Sequence, residues 1–412
     1  MMNPRPRICH VITTPTDQYS SGLRTRMEAK IARDLGYDVD VVTGVGPRDG
    51  RLISEGVEGV TYWRIPALSK YIYPHRDAKA FFDICSLFRR NRYQIVQTHL
   101  AKAGVLGRLA AGLAGVPIIV HDVHGPSFSS SQSLPGRELF INLERLAGLV
   151  TTHYLFYTNH LKDTFATKGI GNNAKHRVIY PDLRLKQFLD APPLPVEERS
   201  RLRRIWHLAP DHLVVGYVAR MVPSKGHHLA IEAFARLAER WPHARLVLVG
   251  GAIWPEEQAY CQRLQAQVDA LHLVEKVIFT GHQLQVIPFY QMFDLFAMPS
   301  LYEGTANAML EAMVMGLPVV AFDIPAVHEF CPSETIVCPF ADAKGLAQGL
   351  DRCLTLLSTT PTAVCPSPAF RQALVAKFSS RRWHQELSDF YMRLVDDQGA
   401  GIRDPNSSKR GD

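Results

Sequence analysis

Short apolar strands that alternate with helix-length stretches constrain this chain more than any other feature. Arg7 to Ile12, Val39 to Thr43, Ile95 to Thr98 and Pro117 to Val120 are apolar runs of strand length. Arg24 to Leu35 and Gly104 to Ala114, between them, have helical periodicity. Apolar strands joined by helical crossovers make a parallel sheet covered on both faces, the doubly wound α/β arrangement. The rhythm stops at Asp190 to Arg204, where three prolines and a dense charge cluster fit a linker and an exposed helix. It then restarts with strands at His212 to Val218, Arg245 to Val249, Lys276 to Phe279, Leu295 to Met298 and Pro318 to Phe322. The helical stretches of this second series are His227 to Arg240, Glu256 to Leu271 and Asn307 to Met315.

A length of 412 residues exceeds what one core organises, so two domains are expected, 1–190 and 191–374. The amphipathic stretch Phe370 to Val395 is read as one helix whose part at about 375–395 packs back on the first domain. The polar tail 396–412 is expected to be disordered. Ligands of doubly wound sheets bind outside the carboxyl ends of the strands, so the expected site is the cleft between two facing sheets.

The longest apolar run, Leu109 to Val120, is shorter than the roughly 20 residues of a spanning helix, and the amino end has no apolar signal core. A cytoplasmic protein is expected, with contact at the inner face of the cell membrane. Seven scattered cysteines read as reduced thiols; Cys331, Cys338 and His328 lack the paired spacing of a zinc site. The Asp38-Val-Asp40 string reads as the entry of a strand rather than as a metal motif.

Net charge is +7, and residues 1–190 hold 25 Lys and Arg against 16 Asp and Glu, a surplus of +9. Such a surplus suits an anionic partner, although a merely solvated face stays open on charge alone. Arg24, Arg26, Lys30 and Arg33 recur at helical spacing, and Arg89, Arg90 and Arg92 end another helix, so both groups are candidates for contact with an anionic membrane. No aromatic-interleaved basic motif supports nucleic acid as a partner.

Two segments carry chemistry. In Val218-Ala-Arg-Met-Val-Pro-Ser-Lys-Gly-His-His a strand ends and Arg220 and Lys225 precede a helix, a pattern suited to a diphosphate. In Pro299-Ser-Leu-Tyr-Glu-Gly-Thr-Ala-Asn-Ala-Met-Leu-Glu a strand enters a turn at Glu303-Gly304, and Glu311 follows eight positions later on a helix. Carboxylates offer only acceptors and suit sugar hydroxyls.

Together with Gly316-Leu-Pro-Val-Val-Ala, these residues resemble the donor domain of retaining glycosyltransferases of family 4, which have the GT-B fold. Gln97-Thr-His-Leu-Ala-Lys-Ala-Gly-Val-Leu-Gly-Arg and His121-Asp-Val-His-Gly-Pro-Ser-Phe are similar to bacterial members that build surface polysaccharides on lipid carriers. The resemblance implies two Rossmann-like domains facing across a cleft. It implies transfer of a hexose, with UDP the expected nucleotide, to an acceptor hydroxyl on a glycan or lipid-linked sugar. No cofactor or metal is implied. Arg220 and Lys225 would hold the diphosphate, Glu311 the ribose and Glu303 the donor sugar, with Gly304, Thr305 and Ala306 against phosphate and sugar. His282, in Gly281-His-Gln, lies where the family cradles the base.

His124 matches the family's active-site histidine, and with Glu303, Arg220 and Lys225 it completes the catalytic group the resemblance implies. His99 and Lys102 are candidates for the acceptor. Gly22 is what remains of the family's amino-terminal Gly-Gly turn and counts among the donor positions. The Asn-Gly of the family's linker is absent, and Pro325-Ala326 replaces a Gly-Gly pair. A regulatory sugar-nucleotide-binding subunit and a sugar-nucleotide epimerase remain open as alternatives.

Overall fold

Buried strands that stay apolar until their carboxyl ends organise the first unit. The computed structural model describes residues 5–14, 20–44, 56–128, 132–171, 175–252 and 255–401. Its packing separates two units, Met1–Tyr180 with Arg381–Asp412, and Pro181–Ser380. The first division thus falls at 180–181, whereas composition placed the boundary at 190–191.

The first unit runs β1 (Arg7–Ile12), α1 (Ser20–Asp34), β2 (Asp38–Thr43), β3 (Val60–Arg64), α2 (Pro74–Asn91), β4 (Ile95–His99) and α3 (Ala101–Leu113). It continues with β5 (Ile118–Val123), α4 (Leu134–Gly148), β6 (His153–Phe156), α5 (Asn159–Thr167) and β7 (His176–Val178). The strands pair in parallel in the order β3-β2-β1-β4-β5-β6-β7. Every residue of β4 and β5 is buried, including the polar Gln97, Thr98, His99, His121 and Asp122 near their carboxyl ends. Buried polar groups need partners, so these strand ends have to form a network of their own. Gly104 lets α3 lie close over them, because a β-carbon there would come within 2.4 Å of the His121 ring.

The second unit contains α6 (Lys186–Leu189), α7 (Val196–Ile205), β8 (Leu213–Val218), α8 (His227–Arg240), β9 (Ala244–Val249), α9 (Pro255–Ala270) and β10 (Val277–Phe279). After these come α10 (Ile287–Met292), β11 (Leu295–Met298), α11 (Asn307–Val314), β12 (Val319–Phe322), α12 (Pro325–Phe330), β13 (Ile336–Cys338), α13 (Ala343–Thr359) and α14 (Pro368–Lys377). Its six parallel strands have the order β10-β9-β8-β11-β12-β13.

The last helix, α15 (Ser380–Gly401), returns to the first unit. Trp383, Leu387, Phe390, Tyr391 and Leu394 join the core that holds Ile8, Val39 and Val120. Burying side chains of this size contributes roughly 1.5–3 kcal/mol each. The single helix expected from Phe370 to Val395 is in fact two. The Phe378 carbonyl accepts the Leu183 amide at 3.3 Å, which diverts it from a continuing helix. Helix α15 extends to Gly401, into the stretch read as tail, and residues 402–412 lie outside the described residues. Among the described residues no helix is long and apolar enough to cross a membrane.

Candidate active site

Strand β8 lies between β9 and β11, so the connections after β8 and β11 leave the second sheet side by side, at the point where the strand order reverses. The Leu301 amide donates to the Ser224 carbonyl at 2.9 Å and stitches the two connections together. Gly226 closes the first with φ +67°, and a β-carbon there would stand 1.9 Å from the Pro299 carbonyl oxygen. Only glycine permits both the left-handed backbone and that approach.

This junction brings Lys225 Nζ to 2.6 Å from Glu303 Oε2. The other Glu303 oxygen accepts from Ser300 Oγ at 2.7 Å, and Ser300 Oγ lies 2.8 Å from the Tyr217 hydroxyl. Arg220, half-exposed, pairs at 3.4 Å with the buried Glu257 of α9. Gly304 and the buried Thr305 lead into α11 through Ala306, whose φ of +53° is unusual for a residue with a β-carbon.

Glu311 accepts from the Tyr290 hydroxyl at 2.6 Å. Burial pushes its carboxyl up to about 7, against the opposing effect of that hydrogen bond. His282 is exposed after β10, where the Gly250 amide donates to Gly281 at 3.1 Å and ties that turn to the end of β9. The edge therefore offers two cations and two carboxylates on adjacent connections, which suits a diphosphate flanked by hydroxyl-bearing rings.

In the first unit the order reverses at β1 and β4, and the candidate histidines cluster there. His124 follows β5 and is 11% exposed at its side chain, whereas Asp122 is sealed. His99 Nδ1 lies 3.3 Å from His124 Nε2, and His99 Nε2 lies 3.1 Å from His10 Nδ1. The Tyr157 hydroxyl donates to Asp122 Oδ2 at 2.6 Å, and Gln97 donates to Glu28 at 2.7 Å. Burial pushes His124 down to about 3, leaving a neutral imidazole at neutral pH. Asp122 is held well below the carboxylate range by the neighbouring histidines and Tyr157, against the opposing effect of burial. Glu28 is raised by burial and by the Asp122 charge.

Leu100, just after His99, has φ +65°, a strained conformation that costs about 1–3 kcal/mol and that such sites tend to store. His99 itself is fully buried. Lys102 is ion-paired with Asp77 at 2.5 Å and bonded to the Tyr71 carbonyl. Gly22 is buried in the first turn of α1 rather than in an open turn.

Sequence reasoning missed Asp122, Glu28, Tyr157, Tyr290, Ser300 and Glu257. Strand alternation could have found Asp122, because period two sets Asp122 on the face of β5 opposite His121, and Asp122 lies two residues before His124. Ser300 stands three residues before Glu303 in the quoted motif, whereas Glu28, Tyr157, Tyr290 and Glu257 come from elements distant in sequence.

Residues 212–356 match the family model for glycosyl transferases group 1, and residues 21–182 match that for a glycosyl transferase 4-like domain. The chain belongs to this glycosyltransferase family. The glycosyltransferase is 29% identical, over 77% of its length and 79% of the relative's, to an Escherichia coli UDP-Gal:alpha-D-GlcNAc-diphosphoundecaprenol alpha-1,3-galactosyltransferase. It is 23% identical to the capsular polysaccharide biosynthesis glycosyltransferase CapM of Staphylococcus aureus, over 89% and 92% of the two chains. Its fold matches the crystal structure of Anabaena HepE in complex with UDP-glucose with a TM-score of 0.74 at 20% identity, covering 94% and 99% of the two chains. The glycosyltransferase thus has the GT-B fold.

Proposed function

We propose that this glycosyltransferase moves a hexose from a UDP-linked sugar to a hydroxyl of a glycan or lipid-linked acceptor, with retention at the anomeric carbon, in the assembly of a bacterial surface polysaccharide or glycolipid. The observation that carries the reading is the pairing of Lys225 with Glu303 on two connections stitched at the switch point of the second sheet, with Arg220 and Glu311 on the same connections. The UDP-sugar named for the Escherichia coli relative and the UDP-glucose bound to HepE support the choice of donor.

Arg220 and Lys225 neutralise the diphosphate, and the amides from Gly304 to Ala306 supply donors at the start of α11. Glu311 accepts the ribose hydroxyls, Glu303 the donor sugar's hydroxyls, and His282 lies beside the base. The acceptor oxygen attacks the anomeric carbon on the face the diphosphate leaves, and a departing phosphate oxygen takes its proton. His124 orients a hydroxyl of donor or acceptor as this happens. Protein cations carry the leaving-group charge, so the proposed step needs no divalent ion.

Peripheral contact with an anionic membrane belongs to the same reading and places the enzyme at the cytoplasmic face. Arg89, Arg90 and Arg92 are exposed at the end of α2, whereas Arg24 is buried with its guanidinium 4.2 Å from the Tyr157 ring centroid and cannot serve there. Incubation with UDP-, GDP- and ADP-sugars in EDTA, with product release and anomeric configuration followed by NMR, tests the reading. Retained transfer from a UDP-sugar is expected. Dependence on added magnesium or manganese, or an inverted product, would contradict it.

A further inference from the structure

Asp122 is the anionic centre of the buried cluster in the first unit. His99 Nδ1 lies 3.4 Å and His124 Nε2 3.6 Å from its Oδ2, and the Tyr157 hydroxyl donates to the same oxygen at 2.6 Å. Three elements deliver these groups: β4 ends in His99, β5 carries Asp122 and leads into His124, and Tyr157 follows β6. Glu28 from α1 stands behind them, with Oε1 3.4 Å from the Tyr157 hydroxyl and Oε2 3.9 Å from His99 Nε2. Only His124 of this set reaches solvent.

We propose that Asp122 is a positioning residue that fixes His124 in the tautomer protonated on Nε2, so that the Nδ1 lone pair faces the substrate as a hydrogen-bond acceptor for a hydroxyl. The inference rests on the glycosyltransferase reading of His124 and adds the group that sets its role. A carboxylate attracts N–H groups and repels lone pairs, so the nitrogen turned toward Asp122 carries the proton. The Nδ1 lone pair diverges from that direction. The Tyr157 hydroxyl directs its proton at Asp122, and its oxygen, 3.3 Å from His124 Nε2, is placed to accept the proton held there. The Asp122 charge and the Tyr157 oxygen thereby hold His124 in one tautomer, as the acid does in a triad.

His99 Nδ1, Asp122 Oδ2 and His124 Nε2 are also mutually spaced as the ligands of one divalent ion would be. An ion there would need a bare lone pair on His124 Nε2, the reverse of the proposal, and the Tyr157 hydroxyl already directs its proton at Oδ2.

Long-range nitrogen–proton correlation NMR of the full chain labelled at histidine, with His124→Gln to assign the signal, reads the tautomer directly. The proposal expects a protonated Nε2 and a bare Nδ1 on His124 in the parent protein. It expects loss of that preference in Asp122→Asn, together with a fall in kcat of about 100-fold and a donor KM within roughly twofold. A proton on Nδ1 in the parent, a stoichiometric divalent ion found by elemental analysis, or an Asp122→Asn enzyme with unchanged tautomer and kcat would overturn it. The parent spectrum decides even if Asp122→Asn fails to fold. A parent that transfers no sugar defeats the glycosyltransferase reading and leaves the tautomer assignment to the spectrum.

Discussion

The Tyr290 hydroxyl donates to Glu311 Oε2 at 2.6 Å, joining α10 to the carboxylate that α11 presents at the switch point of the second sheet. Tyr290 is fully buried and stands 21 residues before Glu311, so the contact exists only in the folded unit. It leaves one carboxylate oxygen for a ligand and fixes the direction of the other.

Tyr290→Phe keeps the buried ring and removes only that donor. Nucleotide-sugar affinity should fall by roughly 0.5–1.5 kcal/mol, the net value of such a bond. The Glu311 carboxyl should rise further, because the Tyr290 bond now lowers it. Calorimetry of donor binding across pH measures both effects.

Donor affinity should rise with pH. With its carboxyl pushed up to about 7, Glu311 is protonated below that value and becomes a charged acceptor only above it. Affinity for an intact nucleotide sugar should therefore climb through about pH 7 and level off, and Glu311→Gln should flatten the profile. Stability runs the other way. The folded value lies above the ordinary 4.5, so this group's contribution is full below 4.5 and is lost as pH rises through about 7. Thermal unfolding of parent and Glu311→Gln across that window measures it.

Arg108 and Glu144 are both buried and meet at 2.5 Å, and the Ser127 hydroxyl donates to the second Glu144 oxygen at 3.0 Å. Breaking this pair with Arg108→Met leaves an unpaired buried carboxylate and should cost about 3–5 kcal/mol of stability. The double variant Arg108→Met, Glu144→Leu should recover much of that loss. Denaturant unfolding of the three proteins checks both statements.

Binding to vesicles of anionic lipid should fade as salt rises, because screening confines exposed cations to a reach of about 8 Å at physiological ionic strength. Replacing Arg89, Arg90 and Arg92 by Gln should weaken co-sedimentation. Replacing Arg24 should act through the Tyr157 contact instead. Equal recovery with neutral and anionic vesicles at every salt concentration would remove the membrane from the account.

The sequence made the fold legible where one local signal was enough. Strands Arg7–Ile12 and Leu295–Met298 and helix His227–Arg240 lie where their apolar periods predict. Legibility failed where tertiary contacts decided the outcome. The break at Phe378 depends on a hydrogen bond from Leu183, nearly 200 positions earlier, and the division at 180–181 leaves no mark in composition. The site divides in the same way. Arg220, Lys225, Glu303 and Glu311 stand in compact motifs, whereas Tyr290, Glu257 and Glu28 reach the sites only through the winding of the sheets. The full burial of His99 at the end of β4 was likewise not legible in its motif.

Calorimetric titration with a UDP-sugar in EDTA, comparing the parent with Lys225→Ala, tests whether protein cations hold the donor diphosphate. Stoichiometric binding by the parent without a divalent ion is expected. Lys225→Ala should lose about 1.5–3 kcal/mol of that affinity, the value of a hydrogen bond to a charged group, with the unfolding midpoint of the second unit preserved. Equal affinity in the two proteins, or binding only when a divalent ion is restored, would contradict a diphosphate held by protein cations.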